Sequence, residues 1–181
     1  TVGAVVGEAT VTAQAASGDE DTAIDLDIAA SLPEGSDDTI TEVTISGVPA
    51  GAQLSAGTDN GDGSWTLSPA DLANLTVTPA AGDSTDFTLQ VNATSQDVDP
   101  ETGAVTTTTT NVPLNVTVGA VVDEATVTAQ AAQGDEDTAI DLDIAASLPE
   151  GSDDTITEVT IAGVPEGATL SAGTHDPVTA T

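Results

Sequence analysis

The sequence predicts an all-β chain, an immunoglobulin-like antiparallel β-sandwich in tandem repeats. Apolar and polar residues alternate along most of its length. Clusters of Gly, Pro, Asn and Asp interrupt that alternation at short spacing, and one long stretch returns almost unchanged.

The recurrence decides the domain organisation. Thr1–Thr58 returns as Thr117–Thr174 with five differences in 58 pairs, Gly7/Asp123, Ser17/Gln133, Ser46/Ala162, Ala50/Glu166 and Gln53/Thr169. An offset of 116 residues is too long for a solenoid unit and suits a self-sufficient domain. Near-identity at this period implies many copies in a longer parent protein. The expected division is a complete repeat over residues 1–118 and a partial second copy over 119–181, which lacks counterparts of Asn60–Val116. The segment begins and ends inside the repeat pattern, so targeting signals are expected outside it.

Strand signals follow in order. Val11 and Ala13 begin one strand. Ile24, Leu26 and Ile28 form an inward row with Asp25 and Asp27 outward. Val43 and Ile45 form another row, and Ile40 is out of phase, which predicts a bulge. Trp65 and Leu67 begin a further strand. Ser68-Pro69-Ala70-Asp71-Leu72 reads as a capped helical turn with Pro at its first position. Leu75 and Val77 follow, then Phe87, Leu89 and Val91. The last strand runs from Val105 through Thr106–Thr110 to Val118, since the branched Thr side chain suits a pleated surface. Turns are expected at Ser17-Gly18-Asp19, Pro33–Ser36, Asp59–Gly63 and Ala81-Gly82-Asp83. Roughly seven strands in about 100 residues fit the sandwich, with a barrel as the alternative. Trp65 and Phe87, the only large rings, are expected in the core.

Composition narrows the function. There are no Lys or Arg residues against 31 Asp and Glu, a formal charge of −31. Nothing neutralises phosphate, so nucleic acid is excluded as a partner. Anionic membrane surfaces repel the chain, and no apolar run reaches spanning length. Without Cys there is neither a disulfide framework nor a thiolate metal site. No enzyme is expected: Cys, Lys, Arg and Tyr are absent, and the single His, His175, sits in the divergent tail.

The linked strings Gly18-Asp19-Glu20-Asp21-Thr22-Ala23-Ile24, Leu26-Asp27-Ile28, Ile45–Ala52, Leu54-Ser55-Ala56-Gly57-Thr58 and Gly61-Asp62-Gly63-Ser64-Trp65-Thr66-Leu67 resemble the extender repeats of giant repeats-in-toxin (RTX) adhesins. Those are bacterial surface and biofilm proteins with many Ig-like domains in series. The resemblance covers the first copy and the second as far as Thr174. It implies type I export, a secreted, cell-surface location and calcium that stiffens the array. At Leu32–Asp38 the carboxylate spacing departs from that of the related repeats.

Calcium takes six to eight oxygen ligands, and adjacent carboxylates repel without a cation. Candidate ligands are Asp19, Glu20 and Asp21 with their repeats Asp135, Glu136 and Asp137. Glu34, Asp37 and Asp38 recur as Glu150, Asp153 and Asp154. A third cluster is Asp97, Asp99 and Glu101, and Asp123 and Glu124 lie at the junction. Asp59–Gly63 lacks the acids of an EF-hand and reads better as a tight turn. The short, apolar Val118–Val122 is expected to continue almost directly into the next repeat, with calcium near Asp123 and Glu124 locking the angle. The expected function is a structural extender that projects distal binding domains for adhesion or biofilm formation, with neighbouring repeats of the same chain as partners. Two alternatives remain: a filament or surface-layer subunit completed by strand complementation from other copies, and a ligand-binding module.

Overall fold

The computed structural model describes residues 6–174, so His175 and the divergent tail lie outside the described residues. The chain is all-β, about 40% strand and 2% helical. It divides into two units, Thr1–Val122 with Gly151–Asp153, and Asp123–Glu150 with Asp154–Thr181.

The spine of the first unit is a long hairpin. β10 (Phe87–Val98) pairs antiparallel with β11 (Val105–Gly119), from Phe87↔Val116 to Val98↔Val105. On one side β10 pairs with β5 (Thr39–Ser46), which pairs with β8 (Ser64–Leu67), and β8 with β7 (Thr58–Asp59). On the other side β2 (Ala16–Asp19) runs parallel to the end of β11, completing a six-stranded sheet of order β2-β11-β10-β5-β8-β7. Two smaller sheets share its core. One joins β3 (Ile24–Asp25), β9 (Thr76–Thr78) and β6 (Gln53–Leu54); the other pairs β1 (Thr10–Ala13) with β4 (Ile28–Ser31). A single apolar cluster connects all three sheets, an arrangement compatible with a β-sandwich.

Most strand expectations hold, with instructive differences. The alternation Ile24, Leu26, Ile28 is buried inward as read, but it serves two sheets: Ile24 pairs with Val77 and Ile28 with Ala13. The expected bulge is present. Glu42 faces Thr94 and Ile40 faces Ser95, so Thr41 is the extra residue. Ser17-Gly18-Asp19 is strand rather than turn. Gly18 is there for space, because a Cβ would lie 2.7 Å from Ile24 Cγ1. Trp65 is buried, but Phe87 is only partly buried, since it opens β10 at the margin of the core. The 3₁₀ turn Pro69–Leu72 is capped as expected: Ser68 N–H and Oγ–H donate to Asp71 Oδ2 at 2.8 and 2.7 Å.

Gly47 follows β5 with φ +83°, and a Cβ there would lie 2.7 Å from the Thr88 carbonyl oxygen. Backbone cannot yield as a side-chain tip can. Gly47→Ala is therefore expected to destabilise the first unit by about 1–3 kcal/mol. Gly163→Ala, at the equivalent site with φ +75° and open space around it, should cost less. Denaturant midpoints of the two variants provide the check.

In the second unit, β12 (Thr126–Ala129) pairs with β13 (Ile144–Ser147) in the register of β1 with β4, shifted by one repeat. Those are the only strands among its described residues. The counterparts of β2, β3 and β5 are present in sequence but not as strands. Their partners in the first unit, β8 to β11, have no counterpart in residues 123–174.

Candidate metal centre

The inner row of β10 reads Leu89, Val91, Ala93, Ser95, Asp97, and every member is buried. Toward its end the row becomes smaller, then polar, then charged. The pairing Ser95↔Ile40 and Gln96↔Thr39 brings the end of β10 beside the start of β5, where Asp37 and Asp38 precede the strand. One carboxylate oxygen from each of Asp37, Asp38 and Asp97 lies within 4.8 Å of the others. Two ligands on one calcium at about 2.4 Å are at most about 4.8 Å apart, so this spacing suits a shared ion.

The surroundings orient the cluster. Asp38 Oδ2 accepts hydrogen bonds from Gly7 N–H and Ser36 Oγ–H, both at 2.6 Å, and Ser36 Oγ accepts from Asp38 N–H at 3.3 Å. Ser95 Oγ–H donates to the Gly7 carbonyl at 2.8 Å, and Thr110 Oγ–H to the Ala9 carbonyl at 2.9 Å. The incoming backbone is thus held by side chains at this end. Burial pushes the Asp97 carboxyl above its ordinary value, and the charges of Asp38, Asp37 and Asp99 push it the same way. Three hard oxygens without a neighbouring cationic side chain make a donor set for a hard divalent cation. Asp37, Asp38 and Asp97 can hold one.

The other predicted ligands have separate roles. Asp19, Glu20 and Asp21 do not converge. Asp19 is exposed at the end of β2, and its carbonyl accepts from Thr22 Oγ–H at 2.7 Å. Glu20 is 3% exposed; its N–H donates to the Gly119 carbonyl at 2.9 Å and its Oε1 accepts from Val121 N–H at 2.7 Å. Glu20 Oε2 is buried without a hydrogen-bond partner. Asp21, with φ 59°, accepts from Gly82 N–H through Oδ1 at 3.1 Å. Asp135, Glu136 and Asp137 are exposed, and the local turn repeats, with Thr138 Oγ–H donating to the Asp135 carbonyl at 2.7 Å.

Asp99 closes the β10–β11 turn, accepting from Glu101 and Thr102 N–H at 2.8 and 3.0 Å. Those bonds hold its carboxyl below the usual range, and Glu101 is exposed. Asp123 N–H donates to Asp154 Oδ2 at 2.5 Å, repeating the Gly7–Asp38 bond, while Glu124 is exposed. In the Asp59–Gly63 loop, Asp59 Oδ1 accepts from Gly61 N–H and Asp62 Oδ1 from Ser64 N–H and Oγ–H, which makes it a tight turn.

Asp97 is the residue whose distant neighbours local reading misses: the sequence groups it with Asp99 and Glu101, and the charge of Asp99 does bear on it, but the β5–β10 register also brings Asp37 and Asp38 to it. The signal for those distant neighbours was its phase: Asp97 is in step with Leu89 and Val91, whereas Asp99 lies beyond the strand.

Among the described residues no helix is long and apolar enough to cross a membrane, which says nothing of a β-barrel. No family model, curated protein or solved structure matches the chain.

Proposed function

We propose that this chain is an extender segment of a secreted bacterial surface adhesin of the RTX kind. Each complete repeat is an Ig-like sandwich, stiffened by calcium, that projects distal binding domains for adhesion or biofilm formation. The observation that carries this reading is where the chain enters and leaves the first unit. The incoming segment is tied to Ser95, near one end of the β10–β11 hairpin, through the Gly7 carbonyl. The outgoing segment is tied to Asp86, ahead of the other end of β10, through Val118 N–H at 2.9 Å. Nine residues of extended chain separate Ser95 from Asp86, about 30 Å. A domain entered and left at opposite ends of its longest strands adds length to a chain of such domains. Glu20, bonded to both Gly119 and Val121, fixes the direction of exit.

The absence of Cys permits a direct test. Spin labels on Glu8→Cys and Val122→Cys should give one narrow distance distribution centred at about 30 Å or more. Glu20→Ala should broaden it by releasing the exit segment. A short or broad distribution in the parent pair defeats the proposal.

A further inference from the structure

On the side away from β10, β11 is paired along only part of its length. Its register with β10 runs without a shift from Val116 to Val105, while β2 reaches only Val116–Gly119. Along a strand, the N–H and C=O of one residue point to one side and those of the next point to the other. The Gly119 carbonyl accepts from Glu20 N–H on the β2 side, and Val118 N–H donates to Asp86 Oδ1 on the β10 side, both at 2.9 Å. Odd-numbered residues of β11 therefore face away from β10. Before the stretch that β2 covers, Val105, Thr107, Thr109, Asn111 and Pro113 face a side where no strand among the described residues lies, and all five are exposed. Pro113 agrees with an open side, because a proline within a sheet is confined to an edge, where its missing N–H breaks no ladder bond. The incoming chain passes nearby, but its Ala9 carbonyl takes Thr110 Oγ–H rather than an edge amide. The open edge lies in mid-chain, inside the first repeat.

We propose that this edge pairs with the same edge of a second copy of the chain, antiparallel about a two-fold axis at Thr109. Thr109 then faces the partner's Thr109, and Thr107 faces the partner's Asn111. All of these residues aim their N–H and C=O groups at the interface, so each facing pair can exchange two backbone hydrogen bonds. Their side chains share the outer face of the sheet, where Thr beside Thr and Thr beside Asn are compatible cross-strand neighbours.

Charge selects a second copy as the occupant. With 31 acids and no Lys or Arg, two copies repel wherever their acids meet. Residues 102–122 hold no acid, the longest such run in the chain, and the open edge lies within it. This is where two copies approach against the least repulsion. A cationic partner would instead be drawn to the acidic surfaces and away from this neutral strip. Sheet edges are commonly guarded against such pairing by charges or by proline. This one carries no charge, and its proline stands near one end of the open stretch. A single strand pair buries less than the ~1,200 Å² of a stable complex, so the pairing is reversible and follows concentration.

The test is amide exchange on the whole 181-residue chain, in chelator so that no calcium bridges the copies. At low concentration the amides of Thr107, Thr109 and Asn111 should exchange freely, while those of Thr106, Thr108 and Thr110 are held by β10. Raising the concentration should slow the odd-numbered set by about tenfold or more and leave the even-numbered set unchanged. Sodium chloride should strengthen the effect by screening the repulsion between copies. Sedimentation should show the matching shift from monomer to dimer. Thr107→Glu places a carboxylate opposite the partner's Asn111, and Thr109→Pro removes a donor at the axis. Each should weaken association by about tenfold or more at low salt. The Trp65 melting transition reports whether the first unit stays folded, and Thr107→Glu changes only an exposed side chain. Four results overturn the inference: odd-numbered amides already protected at high dilution, a chain that stays monomeric at the highest concentration and salt, association without new protection of those amides, or association of both variants equal to that of the parent.

Discussion

Ile45→Ala is expected to destabilise the first unit by about 2–5 kcal/mol, while Ile161→Ala changes the chain's stability by no more than about 0.5 kcal/mol. The two residues occupy the same place in the repeat, within Glu-Val-Thr-Ile in both copies. Ile45 is 0% exposed between β8 and β10, and its truncation leaves a cavity in a packed interior. Ile161 is 42% exposed and has neither neighbour, so its truncation removes contacts that are mostly with water. The measurement is clean because Trp65 is the chain's only Trp and lies in the core of the first unit. Its fluorescence follows unfolding of that unit. A large downward shift of the Trp65 transition for Ile45→Ala and none for Ile161→Ala is the expected pair. Equal shifts would show that the two copies are packed alike.

Calcium in hundredfold excess over its Kd should stabilise the first unit by about 2.7 kcal/mol, raising the Trp65 melting temperature by roughly 10–20 °C over chelator at matched ionic strength. Asp97→Asn tests the ligand set by a change of sign. In chelator the variant should melt higher than the parent, because it removes a buried carboxylate facing Asp38 and Asp37. In calcium it should melt lower than the parent, because a ligand is lost. The pH response follows the same logic. The Asp97 carboxyl is raised in the folded state, so the folded chain binds that proton more tightly than the unfolded chain. In chelator the contribution of this group therefore becomes more favourable as pH falls through its raised value. Asp62, Asp71, Asp83 and Asp99 have lowered values through local hydrogen bonds to Ser64, Ser68, Thr85 and the Thr102 and Glu101 backbone, so their contributions are lost on acidification. Identical melting of parent and Asp97→Asn in both conditions would remove Asp97 from any cation site.

The candidate site was half legible before folding. Asp37 and Asp38 stand out as a pair, and composition alone demands that some cation or screening offset their charge. Their third partner lies about sixty residues on, and only the β5–β10 register brings it near. Adjacent acids proved a poor guide for the same reason. The strand β2 ends at Asp19 and the chain turns through Glu20 and Asp21, the latter with φ 59°, so the three side chains went to solvent, to the Gly119–Val121 exit and to Gly82.

Alternation, turn chemistry and the repeat by themselves determined the strand class, the inward rows, a bulge beside Ile40 and the capped turn at Ser68–Asp71. Each of those depends on residues close in sequence or on periodicity. Whether a strand-competent segment became a strand was decided only by tertiary structure. Thr10–Ala13 and Ile28–Ser31 lie within the recurring stretch, so the pair forms again as β12 and β13. Thr39–Ser46 and Thr155–Ala162 differ at a single position, yet only the first is a strand. An extended backbone must place its N–H and C=O groups on neighbours, and only the first copy has β8 and β10 beside it to receive them.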